Sequence, residues 1–253
     1  MFTLTEIRPQ VEIPEAEYLR LLGYPKNRPL EGRARELADG AEKWFSKHGR
    51  PWICARECSS LERSAEKLKL CGKEISSRRL REVFSTADVH SVVLLAVSAG
   101  KECEEYAQKL WKEEKPDEYY FLESYGSAVV EQLVTFANGR ICGWADEHQM
   151  AALPHFSPGY AGWNVAGQVP LWELFRQQFT DGFPGELDAL ESGMLRPKKS
   201  QLAIVGLTRE LDKAKRMQNL IPCEQCPMPN CRYRRAPFKR YRERLEDFCG
   251  EEA

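Results

Sequence analysis

An apolar run in the middle of the chain limits the possible folds more than any other feature. Residues 91–98 read SVVLLAVS, with six consecutive apolar residues between two serines, and Ala99 and Gly100 follow as turn residues. A short apolar run bounded by turn residues predicts a β-strand, and this one is apolar enough to be a central strand. The same pattern predicts strands at residues 50–60 (RPWICARECSS) and 200–208 (SQLAIVGLT).

Helical patterns fill most of the remaining sequence. In KECEEYAQKLWKEE, Ala107 and Trp111 lie four residues apart on one helix face, and Pro116 is expected to end that helix. The charged stretch that separates the first two predicted strands is also expected to be helical. The predicted helices are residues 13–24, 30–48, 101–114, about 119–140 and 170–179.

These elements together predict a single mixed α+β domain. With 253 residues, of which 42% are apolar, the chain is long enough to bury a core. The sequence shows no internal repeat with a period of about 20–50 residues and no low-complexity linker. We therefore assign residues 1–210 to the domain and residues 211–253 to a cysteine-rich tail with a basic helix.

The overall charge gives no support to a nucleic-acid or membrane partner. The chain has 37 Lys and Arg residues against 38 Asp and Glu residues, so any charged patch has to be local. The first residues lack the pattern of a secretory signal, and no stretch reaches the roughly 18 apolar residues of a spanning helix. The expected location is the cytoplasm, where the nine cysteines would be thiols, metal ligands or redox groups.

Four cysteines near the C-terminal end form a candidate metal site: Cys223, Cys226, Cys231 and Cys249. A C-x2-C pair can hold one metal because its short loop turns both thiolates inward, and two more thiolates complete a zinc site or an iron–sulfur cluster. Prolines in and beside the loop would stiffen it. The spacing matches neither a standard zinc finger nor a ferredoxin run, so unliganded thiols remain the alternative.

Two other stretches each have an ordinary and a functional interpretation. Residues 232–244 (RYRRAPFKRYRER) interleave arginines with aromatic residues, a pattern that can bind nucleic acid. Because the acidic residues of ERLEDF offset the charge, we interpret the stretch as a solvated helix surface, with a docking face for an acidic redox protein as the functional alternative. In DVHSVV (88–93), His90 is interpreted as the polar entry to a strand, with a cobalt ligand as the alternative.

The segment SPGYAGWNVAGQ (157–168) suits neither a helix nor a strand, yet it carries Tyr160 and Trp163. Pro158 stiffens the chain and Gly159 lets it pass close to a partner, so Tyr160 would be presented from a fixed, irregular backbone. Such a backbone leaves peptide groups available to a polar small molecule. The alternative is a structural loop held in place by its aromatic side chains.

Glu131 is the second unusual feature, because it is a carboxylate on a mostly uncharged stripe of the long predicted helix. Ser127 and Val134 share that stripe. The position indicates either a half-buried polar contact or a contact with a ligand.

Two longer stretches resemble a known family. Residues 155–175 (HFSPGYAGWNVAGQVPLWELF) and 193–206 (GMLRPKKSQLAIVG) are similar to the paired signature of the reactivation domain of cobalamin-dependent methionine synthase, especially its stand-alone bacterial relatives. VEIPEAEYLRLLGY, AVSAGKECEEY and GSAVVEQL occur in the family's order. The resemblance covers residues 10–208 and implies a mixed α+β fold with a bent antiparallel sheet and long helices.

The resemblance also implies a function. In that family the domain binds S-adenosylmethionine in a shallow groove and presents it to the corrinoid (cobalamin) of a partner module. An electron from a flavodoxin-like donor and the methyl group of S-adenosylmethionine then restore methylcobalamin from inactive cob(II)alamin. The expected function is therefore an accessory protein that reactivates a separate corrinoid protein or methyltransferase, with the cysteine tail as an internal electron relay.

Five residues are expected at the ligand site on this basis. The backbone around Ser157 and Gly159 would hold polar atoms of the ligand, and Tyr160 would face the ligand or the corrin. Glu131 matches an acidic residue that could contact the ligand's ammonium group. His155 stands where the family has an Arg suited to gripping a carboxylate.

Leu207 and Thr208 are a second departure from the family, because methionine synthase has an aromatic residue there.

Two other functions are possible alternatives for a chain of this kind. The first alternative function is a cap that binds a corrinoid protein without catalysing a reaction. The second is one subunit of a split cobalamin-dependent methionine synthase.

Overall fold

The apolar run at residues 91–98 forms a strand that is buried along its whole length. The structure is a computed structural model that describes residues 1–25, 28–64 and 68–218. It confirms a single mixed α+β domain with an antiparallel sheet and long helices. The strands are β1 (Thr3–Ile7), β2 (Trp52–Cys58), β3 (Leu61–Arg63), β4 (Leu68–Leu70), β5 (Lys73–Glu74), β6 (Ser91–Ser98), β7 (Ala151–Ala152), β8 (Asp188–Ala189), β9 (Leu195–Arg196) and β10 (Ser200–Thr208). The helices are α1 (Glu15–Leu21), α2 (Gly32–His48), α3 (Arg78–Thr86), α4 (Lys101–Lys112), α5 (Pro116–Glu147), α6 (Gln168–Gln178) and α7 (Leu211–Gln218).

The main sheet has five strands in the order β1-β2-β6-β10-β7, and every neighbouring pair is antiparallel. The predicted central position of β6 is confirmed, because β6 lies between β2 and β10. Its pairing with β10 runs from Ser98 opposite Ser200 to Ser91 opposite Leu207. This long register fixes the start of β10, where the candidate site lies.

Both faces of the sheet are covered, so alternate residues of β6 enter two different cores. Val93 and Leu95 pack in a cluster with residues of α1, α2, α4 and α5. Val92 and Leu94 pack in a second cluster with residues of α3 and α6. This two-sided burial explains why the strand is apolar at consecutive positions.

The expectation of helix between the first two predicted strands is wrong for half of that stretch. β3, β4 and β5 form a small antiparallel sheet there, and α3 follows. On β4, Leu68 and Leu70 are buried and the lysine between them is partly exposed. This alternation is typical of a strand, but three residues are too few to distinguish it from a helical pattern in the sequence.

Two helix expectations are also corrected. Pro116 was expected to end α4, but α4 already ends at Lys112 and Pro116 is the first residue of α5. At that position the missing N–H of proline costs no hydrogen bond. The helix therefore extends beyond the predicted residues 119–140 at both ends. On α4, Ala107 and Trp111 lie one turn apart as expected, Ala107 buried and Trp111 61% exposed.

Cys58 and Cys71 form a disulfide that joins the end of β2 to the turn after β4. A disulfide was not among the states expected for the cysteines. Cys54 and Cys103 are buried free thiols, and Cys142 is an exposed one. The four cysteines at positions 223–249 and the basic stretch at 232–244 lie outside the described residues.

Among the helices that the structure describes, none has the length and apolar character needed to cross a membrane.

Candidate functional site

The candidate site begins where the chain leaves the outer edge of β10. β7 pairs with the end of β10, and Phe156 then makes an isolated bridge with Ile204 further back along the strand. The two reciprocal backbone hydrogen bonds of that bridge are 2.9 and 2.8 Å long. After Phe156 the chain turns away from the sheet, so the start of β10 lies beside an irregular segment rather than beside a strand.

The segment 157–163 is held by its own backbone. The Tyr160 N–H donates to the Ser157 carbonyl oxygen over 3.1 Å, and the Gly159 N–H donates to the Trp163 carbonyl over 2.9 Å. Gly159 has a φ of +91°, a conformation that side chains disfavour. Trp163 is buried in the second core, so it anchors the segment, whereas Tyr160 is only half-buried. The two aromatic residues thus have different roles, one structural and one at the surface.

Gln201, on β10, connects this segment to the sheet. Its Nε2 donates to the Ser157 Oγ over 2.8 Å and to the Tyr160 Oη over 3.3 Å. Ser157 is 4% exposed, so its hydroxyl depends on partners within the protein. The phenol oxygen of Tyr160 is also 2.8 Å from His155 Nε2.

The long helix α5 faces this network with a stripe of polar side chains. Asn138 Nδ2 lies 3.0 Å from His155 Nδ1, so both ring nitrogens of His155 have partners. Ser127 and Glu131 lie further back on the same side of the helix, since four residues make about one turn. Glu131 is half-buried between the turn that contacts β10 and the turn that contacts His155.

A charged cluster closes the other end of the stripe. Lys199, just before β10, donates from Nζ to the Ser127 Oγ over 2.8 Å and lies 3.3 Å from Glu123 Oε2. Lys198 Nζ lies 2.9 Å from the same carboxylate oxygen. Burial lowers the pKa of the Lys198 ammonium, but its hydrogen bond to Glu123 and the charge of Glu123 raise it by more, so the net pKa is above the ordinary value. The second oxygen of Glu123 is buried and has no hydrogen-bond partner among the described residues.

We call this arrangement the polar seam, which lies between α5, the segment 155–160 and the start of β10. Hydrogen bonds and ion pairs connect eight of its members in two groups: Glu123, Ser127 and Lys199, and Asn138, His155, Ser157, Tyr160 and Gln201. Glu131 is the ninth, placed on the same side of α5 by the helix spacing. Five ligand-site residues are expected from the sequence, and four of them contribute side chains to the seam: Glu131, His155, Ser157 and Tyr160. The fifth, Gly159, contributes backbone and is exposed, and a Cβ placed on it would meet no atom within 4 Å.

Sequence reasoning missed Gln201, Asn138, Lys199 and Glu123. Gln201 and Lys199 alternate on an extended chain, so both can face α5, and this alternation was the available signal. Asn138 lies two turns beyond Glu131 on the same mostly uncharged stripe of the helix. Their partners lie between 17 and 76 residues away in the sequence, which concealed the cluster.

Thr208 belongs to a different part of the protein. It is fully buried, and its Oγ1 donates to the Ala87 carbonyl oxygen over 2.6 Å and accepts from the Glu210 N–H over 3.0 Å. It lies at the far end of β10 from Gln201, about 23 Å along the strand. Thr208 therefore makes structural contacts with the C-terminal end of α3 and with the chain just after β10, and it is not a member of the polar seam.

The described residues contain no group of three or more His, Cys, Asp or Glu side chains arranged to hold a metal ion. His90 lies at the entry to β6, where its N–H donates to the Leu207 carbonyl oxygen over 3.0 Å. Burial, followed by the charge of Arg209, lowers the pKa of its imidazole. These contacts agree with the interpretation of His90 as the polar entry to the strand.

A separate groove lies between α2, α4 and α5. Trp44 and Tyr106 stack at its base with their ring centroids 4.4 Å apart, and Arg33 at its rim pairs with Glu36 and Glu118. With one arginine against two glutamates, the groove has a net negative charge beside its aromatic and aliphatic side chains. It shares no residue with the polar seam.

One comparison with known proteins, that with solved structures, supports the fold. No protein-family model matches the sequence, and no curated protein matches it. Among solved structures, the chain is similar to the MetH reactivation domain bound to AdoHcy, with 13% sequence identity and a TM-score of 0.52. The match covers 68% of this chain and 65% of that one, so the chain spans somewhat less than two thirds of its structural neighbour. The chain therefore has a fold like that of the reactivation domain.

Proposed function

We propose that this protein binds S-adenosylmethionine in the polar seam and presents it to a corrinoid cofactor carried by a separate protein. The observation that supports this most is the seam itself. Its hydrogen-bonding and charged side chains converge from α5, the segment 155–160 and β10. It occurs in a fold similar to that of the MetH reactivation domain, which was solved with AdoHcy bound.

The residues of the seam fit the chemistry of S-adenosylmethionine. The ligand has a carboxylate, an ammonium group, a sulfonium and a nucleoside, and it needs both charges and neutral donors from the protein. Glu131 supplies a carboxylate for the cationic groups, while Ser157, Tyr160 and Gln201 supply neutral hydrogen-bonding groups. The open space beside Gly159 leaves room for a ligand next to the irregular backbone.

In this proposal the protein binds and orients the ligand. When bound, S-adenosylmethionine supplies a methyl group on a sulfonium. The rigid segment 157–163 would keep Tyr160 in one place, because its backbone hydrogen bonds and the Trp163 anchor restrict it. Preorganisation of this kind reduces the ordering cost of binding.

The partner is proposed to be a corrinoid protein or methyltransferase. Val165 and Met194 are 53% and 58% exposed, and Gly193 approaches the Val165 carbonyl so closely that a Cβ would lie 2.8 Å from its oxygen. Two exposed apolar side chains beside the irregular segment are suited to contact an apolar macrocycle edge or a partner surface. A flavodoxin-like electron donor and the four C-terminal cysteines are further parts of the proposal.

Calorimetric titration with S-adenosylmethionine tests the ligand. We expect saturable binding by the wild type and a loss of about 10-fold or more in affinity for Glu131→Gln, because a charge-assisted contact is replaced by a neutral one. Glu36→Gln is the matched control, since Glu36 lies at the rim of the separate groove. Equal losses in both variants, or equal affinity of wild type and Glu131→Gln, would contradict the assignment of the seam.

The same titration tests the first alternative, and a reconstitution assay tests the second. If the wild type gives no heat with S-adenosylmethionine but captures a corrinoid protein, it is a cap. If methionine forms when it is mixed with homocysteine-, folate- and cobalamin-binding modules, it is a subunit of a split methionine synthase.

A further inference from the structure

We infer that Lys199 is the residue by which the polar seam recognises the carboxylate of an amino-acid ligand. This inference rests on the proposed function and identifies the part of the ligand that determines selectivity. It follows from the position of Lys199, the hydrogen bonds that hold it, and the occupied state of the other cationic candidates.

Lys199 is held in a fixed place. Its stem lies against Gly126 of α5, where an added Cβ would come within 3.3 Å of Lys199 Cγ. Its Nζ is bound by Ser127 and Glu123, and its side chain is 18% exposed. An ammonium has three N–H donors, and in the part of the chain that is described, two of those of Lys199 have partners. The third is available to a ligand.

Lys198 and His155 are the other nearby groups that could contact a carboxylate, and both are less suitable than Lys199. Lys198 reaches the same Glu123 oxygen, but its other contact is Tyr119, one turn towards the N-terminal end of α5. It therefore lies further from Glu131 than Lys199 does. His155 has both ring nitrogens engaged, by Asn138 and Tyr160.

The order of the charges along the seam also suits an amino-acid ligand. Lys199 shares the Glu123 carboxylate with Lys198, and Glu104 accepts a hydrogen bond from the Lys198 backbone N–H over 2.8 Å, so Lys199 is the ammonium on the side towards Ser127. One turn along α5, about 6 Å from the Ser127 that holds Lys199, lies Glu131. The carboxylate and ammonium of an α-amino acid are attached to the same carbon, so they need complementary groups at about this separation. The seam thus carries a positive end and a negative end in the order that an amino-acid moiety requires.

The test compares S-adenosylmethionine with its decarboxylated form, which lacks only the carboxylate. We expect the wild type to bind S-adenosylmethionine about 10- to 100-fold more tightly, the range for a charge-assisted hydrogen bond. Lys199→Gln should lose most of that preference while its affinity for the decarboxylated ligand stays within about 3-fold. Lys199→Arg should retain the preference, because it keeps the charge.

Lys198→Gln is the matched control, since it removes a neighbouring charge from the same carboxylate and should preserve the preference. Lys199→Met keeps the stem beside Gly126 and repeats the test if Lys199→Gln is poorly folded. An unchanged preference in both Lys199 variants would overturn the inference while leaving S-adenosylmethionine binding intact. Failure of the wild type to bind either ligand would instead overturn the proposed function and the inference together.

Discussion

The hydrogen bond from Gln201 to Ser157 should measurably stabilise the segment that carries Tyr160. The donor–acceptor distance is 2.8 Å and Ser157 is 4% exposed, so the bond is short and its acceptor is shielded from water. Gln201→Met should reduce the free energy of unfolding by about 1–3 kcal/mol, because it leaves a buried hydroxyl without this donor. Ser157→Ala should cost less, about 0.5–1.5 kcal/mol, since the half-buried amide of Gln201 can turn towards water or Tyr160.

The double variant separates this bond from other effects of the two substitutions. With both partners removed, the loss should be smaller than the sum of the single losses by about 0.5–1.5 kcal/mol, the net value of a neutral hydrogen bond. Urea unfolding followed by tryptophan fluorescence and circular dichroism gives the four free energies. Thr208→Val with Gln201→Met is the control pair: the two sites are about 23 Å apart along β10, so their losses should add within about 0.5 kcal/mol. A coupling of zero between Gln201 and Ser157 would refute the view that this bond holds the segment on the sheet.

Four further predictions concern the cysteines. Reduction of the Cys58–Cys71 disulfide, whose partners are 13 residues apart, should lower the free energy of unfolding by about 3 kcal/mol in urea titrations; an unchanged midpoint would contradict this. Burial, together with the Glu123 carboxylate, raises the pKa of the Cys103 thiol to about 12, so the folded state keeps a proton that the unfolded chain loses above its ordinary pKa of 9.0. Stability should therefore fall as the pH rises from 9 towards 12. At pH 8, iodoacetamide and peptide mass mapping should label Cys142 and not Cys103, and equal labelling would argue against this burial. Anaerobically purified protein should contain iron with labile sulfide, or stoichiometric zinc, and finding neither would remove the metal site proposed for Cys223, Cys226, Cys231 and Cys249.

The main sheet and long helices could be predicted because their signals are local. β6 is apolar at every inner position, and α5 is a long stretch without an internal proline whose buried residues recur from Leu122 to Ala145. The errors occurred where local signals were ambiguous. Pro116 was interpreted as a helix terminator although a proline is equally suited to the first turn of a new helix. β4 is too short for its alternation to be distinguished from a helical pattern.

The candidate site could be predicted only in part, for a related reason. The residues 155–160 stood out because an irregular segment with aromatic residues is unusual, and Glu131 stood out on an uncharged stripe. Gln201 and Lys199 could not be identified in the same way, because each is an ordinary polar residue whose meaning comes from distant partners. Lys199 contacts Ser127, which is 72 residues away, and Gln201 contacts Ser157, which is 44 residues away. Only the packing of α5 against β10 brings these groups together.

Hydrogen–deuterium exchange with and without S-adenosylmethionine would locate the ligand on the protein without relying on any substitution. We expect slower exchange in peptides that cover residues 155–163, and in those that cover the start of β10 and the facing turns of α5. Peptides of α2 and the C-terminal half of α4, which border the separate groove, should not change. Slower exchange around Trp44 and Tyr106 with none at residues 155–163, or no change anywhere at saturating ligand, would contradict this location of the ligand.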